Sequence, residues 1–254
     1  MKKKILFLSA NPGDTQRLRL DKEVREIKEG LRRAKNRDQF NIVSEWAVSF
    51  NSLRRALLDH EPQIVHFSGH GEKNGIMLEG ELGISVTASS KAISRLFELC
   101  SNDVECVILN ACYSAPQASA INRHINYVIG MPGKINDYAA IEFSVGFYDA
   151  LGAGRIMEDA FKFGIIGIQQ VFPELSPQLF PILLIPQKSV QKKTRVRDMP
   201  SKKENSRAVQ RGLGRRPILK KRKEKKELKS QPSQLEKLLN EGLKNLDLED
   251  YKLT

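Results

Sequence analysis

The chain has 254 residues, 40% of them hydrophobic, and a formal net charge of +12. That length accommodates one large domain or two small ones. Cys100, Cys106 and Cys112 form no CxxC or zinc-ligand spacing, which argues against a disulfide framework and for a reducing, cytoplasmic setting, and no apolar run approaches the ~20 residues that span a bilayer, so a soluble protein without membrane association is expected.

The charge is unevenly placed. Residues 189–254 hold 20 of the 42 Lys/Arg and 9 of the 30 Asp/Glu, which leaves the first 188 residues nearly neutral. Any argument from basicity toward nucleic acid therefore applies to the tail alone.

The first 188 residues alternate between strand and helix signals. Residues 4–10 read as a buried strand. Leu20, Val24, Ile27, Leu31 and Ala34 recur at spacings of three and four, the mark of an amphipathic helix. Residues 40–48 read as strand, 52–59 as a short helix, and 63–68 as the strand that leads to His70. Residues 75–86 suggest a small hairpin over the sheet edge, 88–99 a helix, and 105–110 the strand that leads to Cys112. A short helix at 116–123 and a strand at 127–131 follow. Residues 136–151 read as a helix with Ala140, Phe143 and Phe147 on one face, 157–165 as a further helix, and 179–185 as a last strand. Such alternation predicts an α/β fold, a mostly parallel sheet covered by helices on both faces.

Two segments carry the chemistry: Ile64-Val65-His66-Phe67-Ser68-Gly69-His70-Gly71 and Val107-Ile108-Leu109-Asn110-Ala111-Cys112-Tyr113-Ser114. Each is an apolar run that stops at small residues bearing one reactive side chain. Active sites of parallel sheets form beyond the carboxyl ends of strands, and both His70 and Cys112 fall there. A free thiol is mostly protonated at neutral pH, and an adjacent imidazole can take its proton and stabilise the thiolate. The backbone amides of Gly71 and Cys112 are the expected oxyanion donors; a backbone carbonyl could orient His70. Cys106, mid-strand, and Cys100, at a helix end, read as buried small hydrophobes. His66, inside its strand, reads as packing, and a zinc site from His66, His70 and Cys112 matches no defensible spacing. No metal or cofactor is expected. Asn11-Pro-Gly-Asp-Thr15 follows the first strand, where phosphate loops occur, but it is neither GxGxxG nor a P-loop. Asp137 lies past the strand at 127–131, at the same sheet edge, where a carboxylate could pair with a substrate arginine; alternatively, Asn136 or Asp137 caps the helix that begins there.

The phrases His-Phe-Ser-Gly-His-Gly and Leu-Asn-Ala-Cys-Tyr-Ser, in that order, resemble the CHAT family of caspase- and separase-like cysteine peptidases. The opening Ile-Leu-Phe-Leu-Ser-Ala-Asn-Pro, the later Leu-Arg-Leu-Asp-Lys-Glu-Val-Arg-Glu-Ile, and Ile-Asn-Asp-Tyr-Ala-Ala-Ile-Glu-Phe-Ser-Val-Gly-Phe-Tyr extend the likeness to bacterial stand-alone members over residues 4–186. The resemblance implies a caspase-like three-layer α/β/α fold, His70 as general base, Cys112 as nucleophile, and Asp137 at the floor of a pocket for a basic P1 residue. It further implies a protein or peptide substrate, an effector role in bacterial defence or signalling, and activation by a partner.

The domain organisation expected is a peptidase domain at 1–187, a disordered basic linker at 188–232, and a short amphipathic helix at 233–254, where Ser233 and Glu236 form a capping box ahead of a leucine stripe. The tail reads as a solvated linker, as the contact for an activating partner, or as a substrate of the domain itself at Arg207, Arg211, Arg215 and Arg216. Nucleic acid is disfavoured by the scarcity of aromatics. The alternative to an endopeptidase is a catalytically latent signalling module on the same fold.

Overall fold

The computed structural model describes residues 2–185; the expected linker and terminal helix lie outside the described residues. The central sheet joins β1 (Lys3–Ala10), β2 (Phe40–Glu45), β3 (Ile64–Gly69), β7 (Cys106–Asn110), β8 (Tyr127–Gly130) and β9 (Ile182–Leu184) in the order β2-β1-β3-β7-β8-β9. All pairings are parallel except the last, β8 with β9. The sequence between β3 and β7 makes a separate antiparallel sheet of β4 (Gly71–Glu72), β5 (Gly75–Glu79) and β6 (Ser85–Ser89).

Strand alternation explains the layers. On β1, Leu6, Leu8 and Ala10 face one side and Ile5 and Phe7 the other. The first side is covered by α2 (Phe50–His60), α3 (Ser90–Leu99) and α4 (Ala115–Ile121), the second by α1 (Leu20–Arg33), α5 (Asp137–Gly152) and α6 (Met157–Val171). The fold is thus the three-layer α/β/α arrangement expected. None of the described helices is long and apolar enough to cross a membrane.

Three local readings change. The segment expected as one hairpin is three-stranded, because the chain turns into β4 directly after His70; Ala88, expected at a helix start, pairs with Ile76 in β6, and Ser89 begins α3 by accepting from Ala92 N. On α5 the buried residue is Ala139 rather than Ala140, which aligns Ala139, Phe143 and Phe147 at spacings of four. Finally, α6 continues six residues past Ile165. Its glycines serve close packing rather than helix termination: a Cβ on Gly164 would lie 2.6 Å from the Phe143 ring, and one on Gly146 of α5 would lie 2.6 Å from Phe163 O.

Candidate active site

The register of β3 and β7 positions the two reactive residues. Ser68 pairs with Asn110, and two residues further along, just past the strand ends, come His70 and Cys112. Gly71 packs against the segment after β7 so tightly that a Cβ would lie 2.5 Å from Cys112 O and 3.0 Å from Ala111 Cβ. Only glycine allows that approach. Both side chains are half-buried. No hydrogen bond joins them; each is held by a third segment.

His70 Nε2 donates to Gln16 O at 2.6 Å. A carbonyl can only accept, so the bond places the proton on Nε2 and leaves Nδ1 of the neutral ring as an acceptor. Gln16 belongs to the β1–α1 loop, and that loop is well anchored. Asn11 Oδ1 and Nδ2 bridge the Leu18 backbone, and Gly13 N donates to Gly83 O at 2.8 Å. Asp14 accepts from both Ser85 N and Ser85 Oγ, and those bonds outweigh its slight burial and hold its carboxyl below the usual range. The loop's amide at Gly13 is therefore engaged by protein and its one carboxylate is bound by Ser85, which suits a structural loop rather than a phosphate cradle.

Cys112 sits in a sharp turn. Tyr113 adopts a left-handed conformation with φ 57°, rare for a residue with a Cβ. Buried Ser114 locks the turn: its Oγ donates to Leu109 O at 2.8 Å and accepts from Met131 N at 2.9 Å. Tyr113 N and Ala115 N donate to Gly133 O and Met131 O, so the segment after β8 lies along the cysteine turn. Ile135 N donates to Cys112 Sγ at 3.5 Å. Among the described residues, Cys112 N donates to no protein acceptor. Gly71 pairs with Ile76 at a position flanked by the bond from Met77 N to His70 O; this is a non-hydrogen-bonded pair, so the Gly71 amide points away from β5.

Asp137 is the first residue of α5. The cap is supplied by Asn136, whose Oδ1 accepts from Tyr138 N at 2.8 Å, and the Asp137 carboxylate is thus free for another partner. That partner is Arg19, whose Nε donates to Oδ2 at 2.7 Å. Asp137 follows Ile135, whose amide touches the Cys112 sulfur, by two residues, about 7 Å of chain at most.

Beneath these groups is a polar cluster that the sequence reading did not anticipate. Glu23 of α1 is 2% exposed. It accepts from Ser68 Oγ, from Asn110 Nδ2 at 2.7 Å and from Ser144 Oγ at 2.7 Å. His66 Nε2 lies 3.2 Å from Glu23 Oε1, near enough for electrostatic attraction but off the hydrogen-bonding axis. Its Nδ1 meets Tyr148 OH at 3.2 Å, and its ring stacks on Phe7. Burial pushes the Glu23 carboxyl upward, yet the His66, Ser68 and Ser144 interactions outweigh it and hold the group below the usual carboxylate range. Ser68 and Asn110 each stand two residues before a reactive side chain, so Glu23 ties together the two strand ends that carry His70 and Cys112.

The other two thiols are set apart. Burial, with help from Glu105, pushes Cys106 up to about 12, and burial followed by the Asp103 charge raises Cys100.

A model of the CHAT domain matches residues 2–162. A Gillisia limnaea protein named "Probable protease" is 30% identical over 155 residues, 60% of this chain and 27% of the relative, so the chain spans little more than a quarter of that protein's length. Among solved structures, the Arg-specific cysteine proteinase gingipain R superposes with a TM-score of 0.50 at 12% identity, over 67% of this chain and 43% of its own. A secreted C11 cysteine protease from Bacteroides thetaiotaomicron gives a TM-score of 0.49 at 12% identity, over 71% of this chain and 64% of that one. The gingipain likeness shows a shared caspase-like α/β fold.

Proposed function

The chain belongs to the CHAT domain family, and from that premise we propose that it is a cysteine endopeptidase with Cys112 as nucleophile and His70 as general base. The observation that carries the reading is the β3–β7 register, with Gly71 against Cys112, which sets the two residues side by side at the carboxyl ends of adjacent strands. The name of the Gillisia relative supports the same class.

In this mechanism His70 Nδ1 takes the proton from Cys112 Sγ, and the thiolate attacks the scissile carbonyl carbon. The amides of Gly71 and Cys112 receive the developing oxyanion. The C–N bond then breaks as the His70 imidazolium gives its proton to the leaving amine, and water hydrolyses the thioester with His70 again as base. Gln16 O holds the ring in the tautomer this sequence of steps needs. Asp137 receives a basic P1 side chain; the guanidinium of Arg19 already resting on it is the ligand chemistry that supports this assignment. The setting proposed is a cytoplasmic bacterial defence or signalling system, with a protein substrate and activation by a partner at the basic tail or by self-cleavage there.

The test is intact mass after incubation with a peptidyl-arginine electrophile. One adduct, lost in Cys112→Ala, is expected. An unmodified mass for the wild-type chain, while a small alkylating agent still reaches Cys112, would reject the peptidase reading in favour of a latent signalling module.

A further inference from the structure

Arg19 occupies a position that local helix chemistry disfavours. It stands at the N-cap of α1, where serine, threonine, aspartate or asparagine would accept from the free amides of the first turn. A guanidinium has no acceptor, its charge opposes the helix dipole, and α1 accordingly begins without a side-chain cap. What the residue does instead is reach across to another helix. Its Nε meets Asp137 Oδ2 at 2.7 Å, and its guanidinium carbon lies 5.8 Å from the centre of the Tyr138 ring. A carboxylate beside an aromatic face is a corner built for a cation, and Lys22 Nζ approaches the same ring at 5.2 Å.

The hold is light. Contact to the carboxylate runs through Nε rather than through the bidentate fork that arginine can make, and the side chains are 52% and 26% exposed. Exposed pairs of this kind contribute little and exchange readily. Asp137, in turn, is two residues from Ile135, whose amide touches the Cys112 sulfur.

We infer that Arg19 is a specificity-determining residue: it fills the cation corner of Asp137 and Tyr138 in the empty site, and a substrate's basic side chain must displace it to bind. The inference rests on the peptidase reading above and adds a competitor built into the chain. Its consequence is that affinity for basic peptides is held down by an internal arginine, while peptides with an uncharged side chain at that position are indifferent to it.

The experiment compares second-order rates of Cys112 labelling by two peptidyl electrophiles that differ only in P1, arginine or its uncharged isostere citrulline. The full chain, Arg19→Gln and Asp137→Asn are measured in parallel. Arg19→Gln is expected to raise the arginyl rate by about two- to fivefold, the range an exposed ion pair commands, and to leave the citrullyl rate in place. In Asp137→Asn the two rates should converge. A fall in the arginyl rate of Arg19→Gln, or an equal change with both probes, would overturn the inference and make Arg19 a structural support. Labelling without preference for arginine in the wild-type chain would overturn it as well, with the nucleophile left standing. If no chain is labelled by either probe, the peptidase reading fails and this inference goes with it.

Discussion

Two tiers of polar groups lie at the carboxyl ends of β3 and β7, and they are built in opposite ways. In the lower tier, Glu23, His66, Ser68, Asn110 and Ser144 are buried, and the Glu23 carboxylate is bound by three side chains. In the upper tier, His70 and Cys112, two residues past Ser68 and Asn110, and Asp137 at the start of α5 are partly open to water and each is held by one principal contact. The contrast separates fixing a geometry from using it. A dry, fully engaged carboxylate cannot change partners without leaving several donors unsatisfied, so it sets the spacing of the strand ends. Groups held by single bonds at the water's edge can release one partner and take another, as proton transfer and substrate binding require.

The sharpest way to break this comparison is thiol chemistry. With Cys106 pushed up to about 12 by its burial and Cys112 half-exposed, alkylation at neutral pH should modify Cys112 and spare Cys106 in the native state. Peptide mapping after partial iodoacetamide treatment is the check, and labelled Cys106 would contradict its burial at the start of β7. Next in size is Glu23→Ala. Removing one member of a buried charged network costs about 3–5 kcal/mol, and urea unfolding should show a loss on that scale, with Glu23→Gln losing less. The same residue gives a pH signature. A carboxyl whose folded pKa lies below its ordinary value of 4.5 contributes stability above that pH, and the contribution is lost as pH falls through the lower folded pKa. Acid unfolding of Glu23→Gln should therefore be shallower than that of the wild-type chain below pH 4.5. Smallest is the upper tier's effect on stability: Asp137→Asn breaks an exposed pair and should change unfolding free energy by no more than about 1 kcal/mol. A larger loss would place Asp137 with the structural tier.

Legibility in the sequence followed the same division. The strands ending at His70 and Cys112 were readable because a continuous apolar run followed by glycine or alanine is a local signal, and neighbouring parallel strands then bring their ends together without further information. Glu23 was not read, although a signal exists. Leu20, Glu23, Val24 and Ile27 fall at i, i+3, i+4 and i+7, so the glutamate lies on the buried arc of α1; only the habit of assigning carboxylates to the wet face hides it. Gln16 had no signal at all, since its contribution is a backbone carbonyl that any residue supplies. Arg19 was hidden for a different reason. Its partner is 118 positions away in sequence, and only the fold brings the β1–α1 loop to the start of α5. The reading of α6 stops at Ile165, six residues short of its end, and the packing of α5 against Gly164 and Gly167 that supports the longer helix is a tertiary feature with no local signal.

The anchoring of the β1–α1 loop has a mechanical consequence. Gly13 and Asp14 fasten that loop to Gly83 and Ser85, Met77 N grips His70 O, and Gln16 O grips the far end of the His70 ring. Loop, hairpin and histidine thus form a closed truss of three bars, each bolted to the other two. The imidazole is thus aimed through one bond to the loop, and the loop's own anchors to Gly83 and Ser85 keep that bond in place.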